Sequence, residues 1–389
     1  MNPICLCNGT VLTGFAVMEK CAVLIEDGAV SDVFSQRRFE QKRLPPSTEI
    51  LDAGGAYIAP GFIDTHIHGI GGFGTDDAST EAVIEMSRAL VKSGVSAFNP
   101  TLYPTAQEEM LKAARNVAAA MGREPGARIM GLHLEGPFIS PARIGVQRPE
   151  TLMPVDIPYM EKLWEASGGH IVNMTVAPEL KGMRELALYC IKKGIILQAG
   201  HTDARYENMV EGMQAGILHS THLFNAMSKL DHRNPNAAGA ILIHPEMSCE
   251  IIADGFHVHP DLFKLLLRDK PADKIVLVTD SLKPTGQAEA PFFANGEEVI
   301  LKDGVFQRKA DDVIAGSSLT MIRGVQNLTA FGFRLEDAVK TAGFNPAQVM
   351  RYRGKGAIIP GGDADIVVFD RDFNVLALIA AGMLKYNLL

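Results

Sequence analysis

The most regular feature of the chain is a pattern, starting near residue 57, in which a short apolar run ends in polar residues and an amphipathic stretch follows. Eight such runs occur, at 57–64, 96–103, 128–135, 171–179, 194–202, 218–225, 250–257 and 274–281. Helical spacing of apolar residues marks the stretches between them, such as 79–94, 106–122, 179–194 and 261–269. Eight strand signals alternating with helices predict an α/β fold, a (β/α)₈ barrel of the TIM type.

The two ends of the chain carry a different pattern, in which apolar and polar residues alternate. Within residues 20–34, the dipeptide Asp27-Gly28 is typical of a two-residue hairpin turn. Residues 360–389 alternate in a similar way. We therefore predict a small β-sandwich-like domain formed by both termini, 1–56 and 354–389, with the barrel at 57–353 between them.

Composition and charge argue against several classes of function. The 389 residues are 47% hydrophobic and 21% charged, as in an ordinary soluble globular protein. The net charge of −8 argues against a nucleic-acid partner, because phosphate backbones require a broad basic surface. No apolar run reaches the ~18 residues of a membrane span, and the five scattered cysteines suit a reducing compartment. We expect a cytoplasmic protein without nucleic-acid or membrane partners.

Polar residues gather where the predicted barrel strands end, which is where barrel enzymes place their active sites. The residues at these ends are Asp64, His66, His68, His133, Glu135, His201, His222, Asn225, Asp254, His257 and Asp280. Imidazole and carboxylate are the ligands expected for zinc, iron or another divalent ion. The set predicts a metal hydrolase with one or two ions. Any single histidine is also explained as a polar loop residue, and we keep that interpretation for His170, His219 and His244.

Several longer stretches resemble the amidohydrolase superfamily and, within it, the N-acetylglucosamine-6-phosphate deacetylase family. They are PGFIDTHIHG (60–69), GLHLEGPFIS (131–140), GHT (200–202), THLFNAM (221–227), ADGFHVHP (253–260), LVTDS (277–281) and AGSSLTM (315–321). The resemblance covers nearly the whole chain. It implies a hydrolase that releases acetate from N-acetyl-D-glucosamine 6-phosphate.

The resemblance also implies roles at the metal centre. The principal ligands would be Glu135, His201 and His222, while His66 and His68 would complete a second metal position. One or two divalent ions, zinc or iron, would be bound in each subunit. Asp280 would act as general base and then general acid, and His257 would lie near the scissile carbonyl.

Substrate-binding residues follow from the same resemblance. Asn225 and Ala226 would contact the phosphate, and Arg233 would clamp its charge from the neighbouring subunit of a homodimer. Leu319 would face the acetyl methyl group, although core packing explains this residue equally well. Gln147 departs from the family pattern, which usually has histidine there, so the sugar preference is open.

Three other functions remain as alternatives. One is deacetylation of N-acetyl-D-galactosamine 6-phosphate by the same mechanism. Another is hydrolysis of a cyclic amide or an N-acyl amino acid, against which the phosphate segment from Asn225 to Arg233 argues. A barrel-shaped binding protein without catalysis is the third, and the intact Glu135, His201, His222 and Asp280 argue against it.

Overall fold

The centre of the molecule is a nearly closed barrel of parallel strands, as seen in a computed structural model that describes residues 2–389. Barrel strands one to eight are, in chain order, Phe62–Ile67, Val95–Leu102, Arg128–Ile129 with Leu132–Glu135, Ile171–Val176, Ile196–Ala199, His219–Ser220, Ser248–Ile252 and Ile275–Val278. Each strand pairs in parallel with the next one along the chain. The predicted (β/α)₈ architecture is confirmed.

The first and last strands meet at a polar seam. The backbone nitrogen of Asp280 donates to the carbonyl of His66 over 2.9 Å. Next to it, the Thr279 hydroxyl donates to the buried carboxyl of Asp64 over 2.6 Å. Burial raises the pKa of Asp64 to about 7. The seam brings the ends of strands one and eight side by side, and with them two of the predicted site residues.

Helices cover the outside of the barrel. They are Thr80–Leu90, Gln107–Ala120, Ile157–Ala166, Met183–Lys193, Tyr206–Gln214, Asn236–Ile243, Pro260–Asp269, Met321–Ala330, Leu335–Ala342 and Phe344–Val349. The helix Thr80–Leu90 begins after Ser79, whose side chain caps it by accepting from the backbone nitrogen of Ala82. All four helices expected from apolar spacing are present. None of the helices in residues 2–389 has the length and apolarity needed to cross a membrane.

The terminal segments form one eight-stranded sheet. Its order is Met383–Asn387, Val375–Ala380, Ile366–Phe369, Tyr57–Pro60, Ile4–Leu12, Val17–Glu26 and Ala29–Ser35, with Glu49–Asp52 beside Ile4–Leu12. The hairpin predicted at Asp27-Gly28 is confirmed, and both turn residues have positive φ. One face of the sheet buries its own apolar core, around Leu6, Val23 and Ile366.

One strand of this sheet comes from the start of the predicted barrel segment. The run predicted at 57–64 contains two strands: Tyr57–Pro60 pairs in the terminal sheet, and Phe62–Ile67 enters the barrel. A change of sheet within one apolar run leaves no mark in its hydrophobic pattern. The division into 1–56 with 354–389 and 57–353 stays a prediction.

A four-stranded antiparallel sheet, which the sequence pattern did not predict, follows barrel strand eight. It consists of Phe292–Ala294, Glu297–Lys302, Val305–Arg308 and Ile314–Ser317. A short hairpin of Gly69–Ile70 with Phe73–Gly74 lies after strand one. The residues at 313–316, at the last strand of the four-stranded sheet, line the cavity at the end of the barrel.

Candidate metal centre and substrate cavity

Two groups of possible metal ligands meet at the C-terminal end of the barrel strands. The Glu135 group comprises Glu135, His201 and His222, and the His66 group comprises His66, His68 and Asp280. Within each group, one ligand atom of every residue lies within 4.8 Å of those of the other two, and all six residues are buried.

Three of these residues are held by an unusual backbone conformation two positions after a barrel strand. His201, His222 and Asp280 have φ values of 45°, 23° and 49°. Positive φ is sparsely populated by residues other than glycine, and it costs about 1–3 kcal/mol where the surrounding structure enforces it. Such strain clusters at functional sites. The turn ends each strand at the rim and leaves a ligand side chain at the centre of the barrel mouth.

The carboxylate of Glu135 lies between the two groups. Its Oε1 is 3.1 Å from Nε2 of His201 and 3.1 Å from Nε2 of His222. Its two oxygens also lie 3.4 Å from Nε2 of His66 and 3.3 Å from Nε2 of His68. Burial alone would raise the pKa of Glu135, but the surrounding histidines hold it well below its usual range. Glu135 can therefore serve ions in both positions.

His66 is fully buried within the His66 group. Its Nε2 is 3.5 Å from Oδ1 of Asp280, buried, and without a hydrogen-bond partner among the described residues. Burial alone would lower the pKa of His66, but Asp280, Glu135 and Glu250 raise it well above its usual value. Buried imidazole nitrogens and carboxylate oxygens that converge in this way form a donor set suited to a divalent ion. The residues present fit the predicted metal.

A cavity of about 300 Å³ opens above the two groups. Its lining includes His257, whose Nδ1 donates to Oδ2 of Asp254 over 2.6 Å. Burial alone would lower the pKa of His257, but the Asp254 carboxylate raises it. Since Asp254 engages Nδ1, the opposite ring nitrogen, Nε2, is left to interact with a bound molecule.

Gln147 also lines the cavity, but its main contact is with Glu135, a candidate metal ligand. Its Nε2 donates to Oε2 of Glu135 over 2.7 Å. The other amide atom, Oε1, is buried and has no partner among the described residues. Gln147 thus orients the carboxylate of Glu135 and keeps one acceptor unused.

The other predicted substrate residues fall into two sets. Asn225 and Ala226 line the cavity beside His222. Arg233 is exposed on a loop of its own chain and is not part of the cavity wall. Leu319 is buried in an apolar cluster with Ile252, Val276 and Val278 and is not part of the cavity wall, and its contact with the acetyl methyl group stays a prediction.

Two side chains at the site were not singled out from the sequence. Tyr103 stacks on His68, with ring centroids 3.8 Å apart and planes 9° apart. Glu250 is fully buried, and its Oε2 lies 3.0 Å from Nδ1 of His66. The sequence did contain a signal for Glu250, because a charged residue at the start of the apolar run at 250–257 indicates a carboxylate inside the barrel. His219, interpreted as a loop residue, is instead buried on barrel strand six.

Comparisons with known proteins agree with this geometry. The amidohydrolase family model matches residues 57–385. N-acetylglucosamine-6-phosphate deacetylase of Bacillus subtilis is 34% identical over 382 residues, which cover 97% of this chain and 95% of that protein. N-acetylgalactosamine-6-phosphate deacetylase of a Shewanella strain is 32% identical and covers 97% and 94%. A mutant N-acetyl-D-glucosamine-6-phosphate deacetylase from Mycobacterium smegmatis, solved in complex with N-acetyl-D-glucosamine-6-phosphate, has a TM-score of 0.91, 27% identity and 100% coverage of both chains.

Proposed function

We propose that this chain, which belongs to the amidohydrolase family, hydrolyses the acetamide of N-acetyl-D-glucosamine 6-phosphate to D-glucosamine 6-phosphate and acetate. The observation that carries the proposal is the pair of ligand groups, joined by Glu135, at the floor of one cavity. The activity named for the Bacillus subtilis relative, which aligns along nearly the whole chain, supports the substrate.

Glu135, His201 and His222 would hold the principal ion, and His66, His68 and Asp280 would hold a second. Zinc and iron both accept such nitrogen and oxygen ligands. A divalent ion, when bound, supplies Lewis-acid polarisation of the amide carbonyl and lowers the pKa of water toward neutrality. The two groups are close enough to share the Glu135 carboxylate, which favours two ions over one.

Asp280 would carry the proton through the reaction. Its side chain is 12% exposed and borders the cavity, so it can reach both a water molecule and the substrate amide. It would take a proton from water as the carbonyl carbon is attacked, and then give that proton to the departing amine. An amide needs this second step because its nitrogen is a poor leaving group until it is protonated.

His257 and the loop after barrel strand six would bind the substrate. With Nδ1–H donating to Asp254, Nε2 of His257 carries a hydrogen only in the protonated ring, which the raised pKa favours; in that form it would donate to the developing oxyanion or a sugar hydroxyl. Asn225 and Ala226 would contact the phosphate. Arg233 is too exposed to act in its own cavity, so we propose that it pairs with phosphate across a homodimer interface. The reaction would take place in the cytoplasm.

N-acetyl-D-galactosamine 6-phosphate is a second candidate substrate, supported by the activity named for the Shewanella relative, and Gln147 in place of the family histidine leaves the sugar preference open. The test is release of primary amine from both sugar phosphates and from their unphosphorylated forms. We expect the glucosamine derivative to have the highest kcat/KM. Removing its phosphate should lower kcat/KM at least ~10-fold, because charge-assisted hydrogen bonds contribute about 1.5–3 kcal/mol. Absence of amine release from all four compounds would contradict the proposal.

A further inference from the structure

A carboxylate lies inside the barrel directly beneath the metal centre. Glu250, on barrel strand seven, is fully buried and has no lysine or arginine partner among the described residues. Burying a carboxylate is costly unless hydrogen bonds satisfy its oxygens. The residues around Glu250 therefore have to supply donors.

Four groups surround the two oxygens of Glu250. Nδ1 of His66 lies 3.0 Å from Oε2, and the backbone nitrogen of His222 lies 3.4 Å from the same oxygen. Nε2 of Gln198 donates to Oε1 over 3.1 Å, and Nε2 of His219 is 3.7 Å from it. One side chain thus contacts a member of each ligand group.

These contacts fix the state of the His66 ring. An ionised carboxylate only accepts hydrogen bonds, so Nδ1 of His66 must carry the proton. Nε2, which lies 3.4 Å from Glu135 and 3.5 Å from Asp280, is then the nitrogen available to an ion. The amide of Gln198 is oriented too, because its oxygen accepts from Asn173 over 3.1 Å and its nitrogen must face Glu250.

We infer that Glu250 is a positioning residue of the metal centre, which selects the tautomer of His66 that binds the second ion and braces the backbone of His222 beside the first. The inference rests on the metal centre of the proposed function. It does not depend on which sugar is the substrate.

A carboxylate is required because a neutral amide cannot make the same set of contacts. Glutamine at this position would turn one of its two terminal atoms into a donor. That donor would face either Nδ1–H of His66 or the amide nitrogen of Gln198, and in both cases two donors would oppose each other. Glu250→Gln therefore keeps the volume of the side chain and weakens the selection of the His66 tautomer, because the amide oxygen can accept from Nδ1–H only if the amide nitrogen opposes Gln198.

The test measures Zn²⁺ binding to metal-free protein by competition with a chelator. Outer partners of metal-binding histidines typically change metal affinity by about 10–100-fold. We expect Glu250→Gln to weaken the second Zn²⁺ equivalent by at least ~10-fold and the first by less. The matched control is Thr341→Val, which removes a buried side-chain hydrogen bond to the carbonyl of Ala338 within an outer helix and belongs to neither ligand group. It should leave both affinities unchanged.

Affinities within twofold of the unsubstituted protein for both ions in Glu250→Gln would overturn the inference, as would an unsubstituted protein that binds a single equivalent. Nitrogen-15 NMR of the Zn²⁺-loaded, unsubstituted protein provides a second test, which does not depend on the folding of Glu250→Gln. We expect a protected Nδ1–H on His66, identified by its absence in His66→Asn, and a metal-bound Nε2. A metal-bound Nδ1 would overturn the inference. Two-ion binding without deacetylation would instead contradict only the proposed function.

Discussion

The side-chain amide of Gln147 donates a hydrogen bond of 2.7 Å to Oε2 of Glu135, the carboxylate that faces both groups of metal ligands. Gln147 therefore contacts the centre itself, whereas the sequence suggested only contact with the sugar. Its Oε1 is buried beside the cavity and has no partner among the described residues, so it can also accept a hydrogen bond from a substrate hydroxyl. Substitution here should affect both metal binding and sugar preference.

Replacing Gln147 by methionine removes the donor to Glu135 at similar volume. Without this hydrogen bond the carboxylate is less well oriented, and we expect Zn²⁺ affinity to fall about 10-fold or more. Competition with a chelator measures the change. The control is Gln107→Met, at an exposed glutamine outside the site. Equal affinities in the two variants would mean that the hydrogen bond does not support the ligand.

Substitutions in the two ligand groups should have different effects on metal content. A site formed by Glu135, His201 and His222 binds an ion weakly once one of these three ligands is removed. His201→Ala should therefore lose the principal ion together with activity. His66→Ala combined with His68→Ala should remove one equivalent and leave the other bound. Elemental analysis of purified variants measures the stoichiometry. Full metal content in His201→Ala would exclude this histidine as a ligand.

Asp280→Asn tests the proposed proton transfer. Asparagine has nearly the same shape but cannot take up and release a proton at neutral pH. Loss of a general acid–base typically costs about 10²–10⁴-fold in rate, so we expect kcat to fall by at least ~10²-fold while the ion at Glu135, His201 and His222 is retained. Elemental analysis and steady-state kinetics on the same sample separate the two effects. A normal kcat would assign the proton transfer to another group.

The pair of His257 and Asp254 should give a specific pH dependence. The Asp254 carboxylate raises the pKa of His257 above 6.5, so this group's contribution to stability is complete below 6.5 and is lost as the pH rises through the folded-state pKa. Asp254 has a lowered pKa, and its contribution is lost as the pH falls through that value. Asp254→Asn should therefore lower the pKa of His257, as followed by NMR titration.

The control for this titration is Asp261→Asn. This variant weakens the exposed contact between Asp261 and His259, which lie at the start of the helix Pro260–Asp269 that follows His257. It should not move the pKa of His257. An unchanged pKa in Asp254→Asn would show that another group sets the protonation of His257, and the oxyanion role would lose its support.

Much of the site was accessible from the sequence because barrel geometry is regular. The carboxyl ends of parallel strands share one rim, so residues that end different strands, such as Glu135, His201 and Asp280, were expected to converge. The order of the strands along the chain also predicted which strand ends lie next to each other. The predicted run at 218–225 was too long, because the strand ends at Ser220 and the chain turns at His222.

The remaining features depend on contacts that hydrophobic periodicity does not encode. Glu250 and His66 are 184 positions apart, and only closure of the barrel brings them together. The sheet from Phe292 to Ser317 is an insertion that follows the last barrel strand and adds part of the cavity wall. The proposed role of Arg233 involves a second chain, and the hydrophobic pattern of one chain does not encode such a contact.

The most direct measurement of the central claim is hydrolysis of N-acetyl-D-glucosamine 6-phosphate in ¹⁸O-labelled water, with both products identified by mass spectrometry. Water attack on the amide carbonyl predicts acetate that carries one labelled oxygen and an equal amount of unlabelled D-glucosamine 6-phosphate, with little product from Asp280→Asn. The account would be contradicted if the metal-loaded protein left the amide intact, or if the label appeared in the sugar phosphate instead of the acetate.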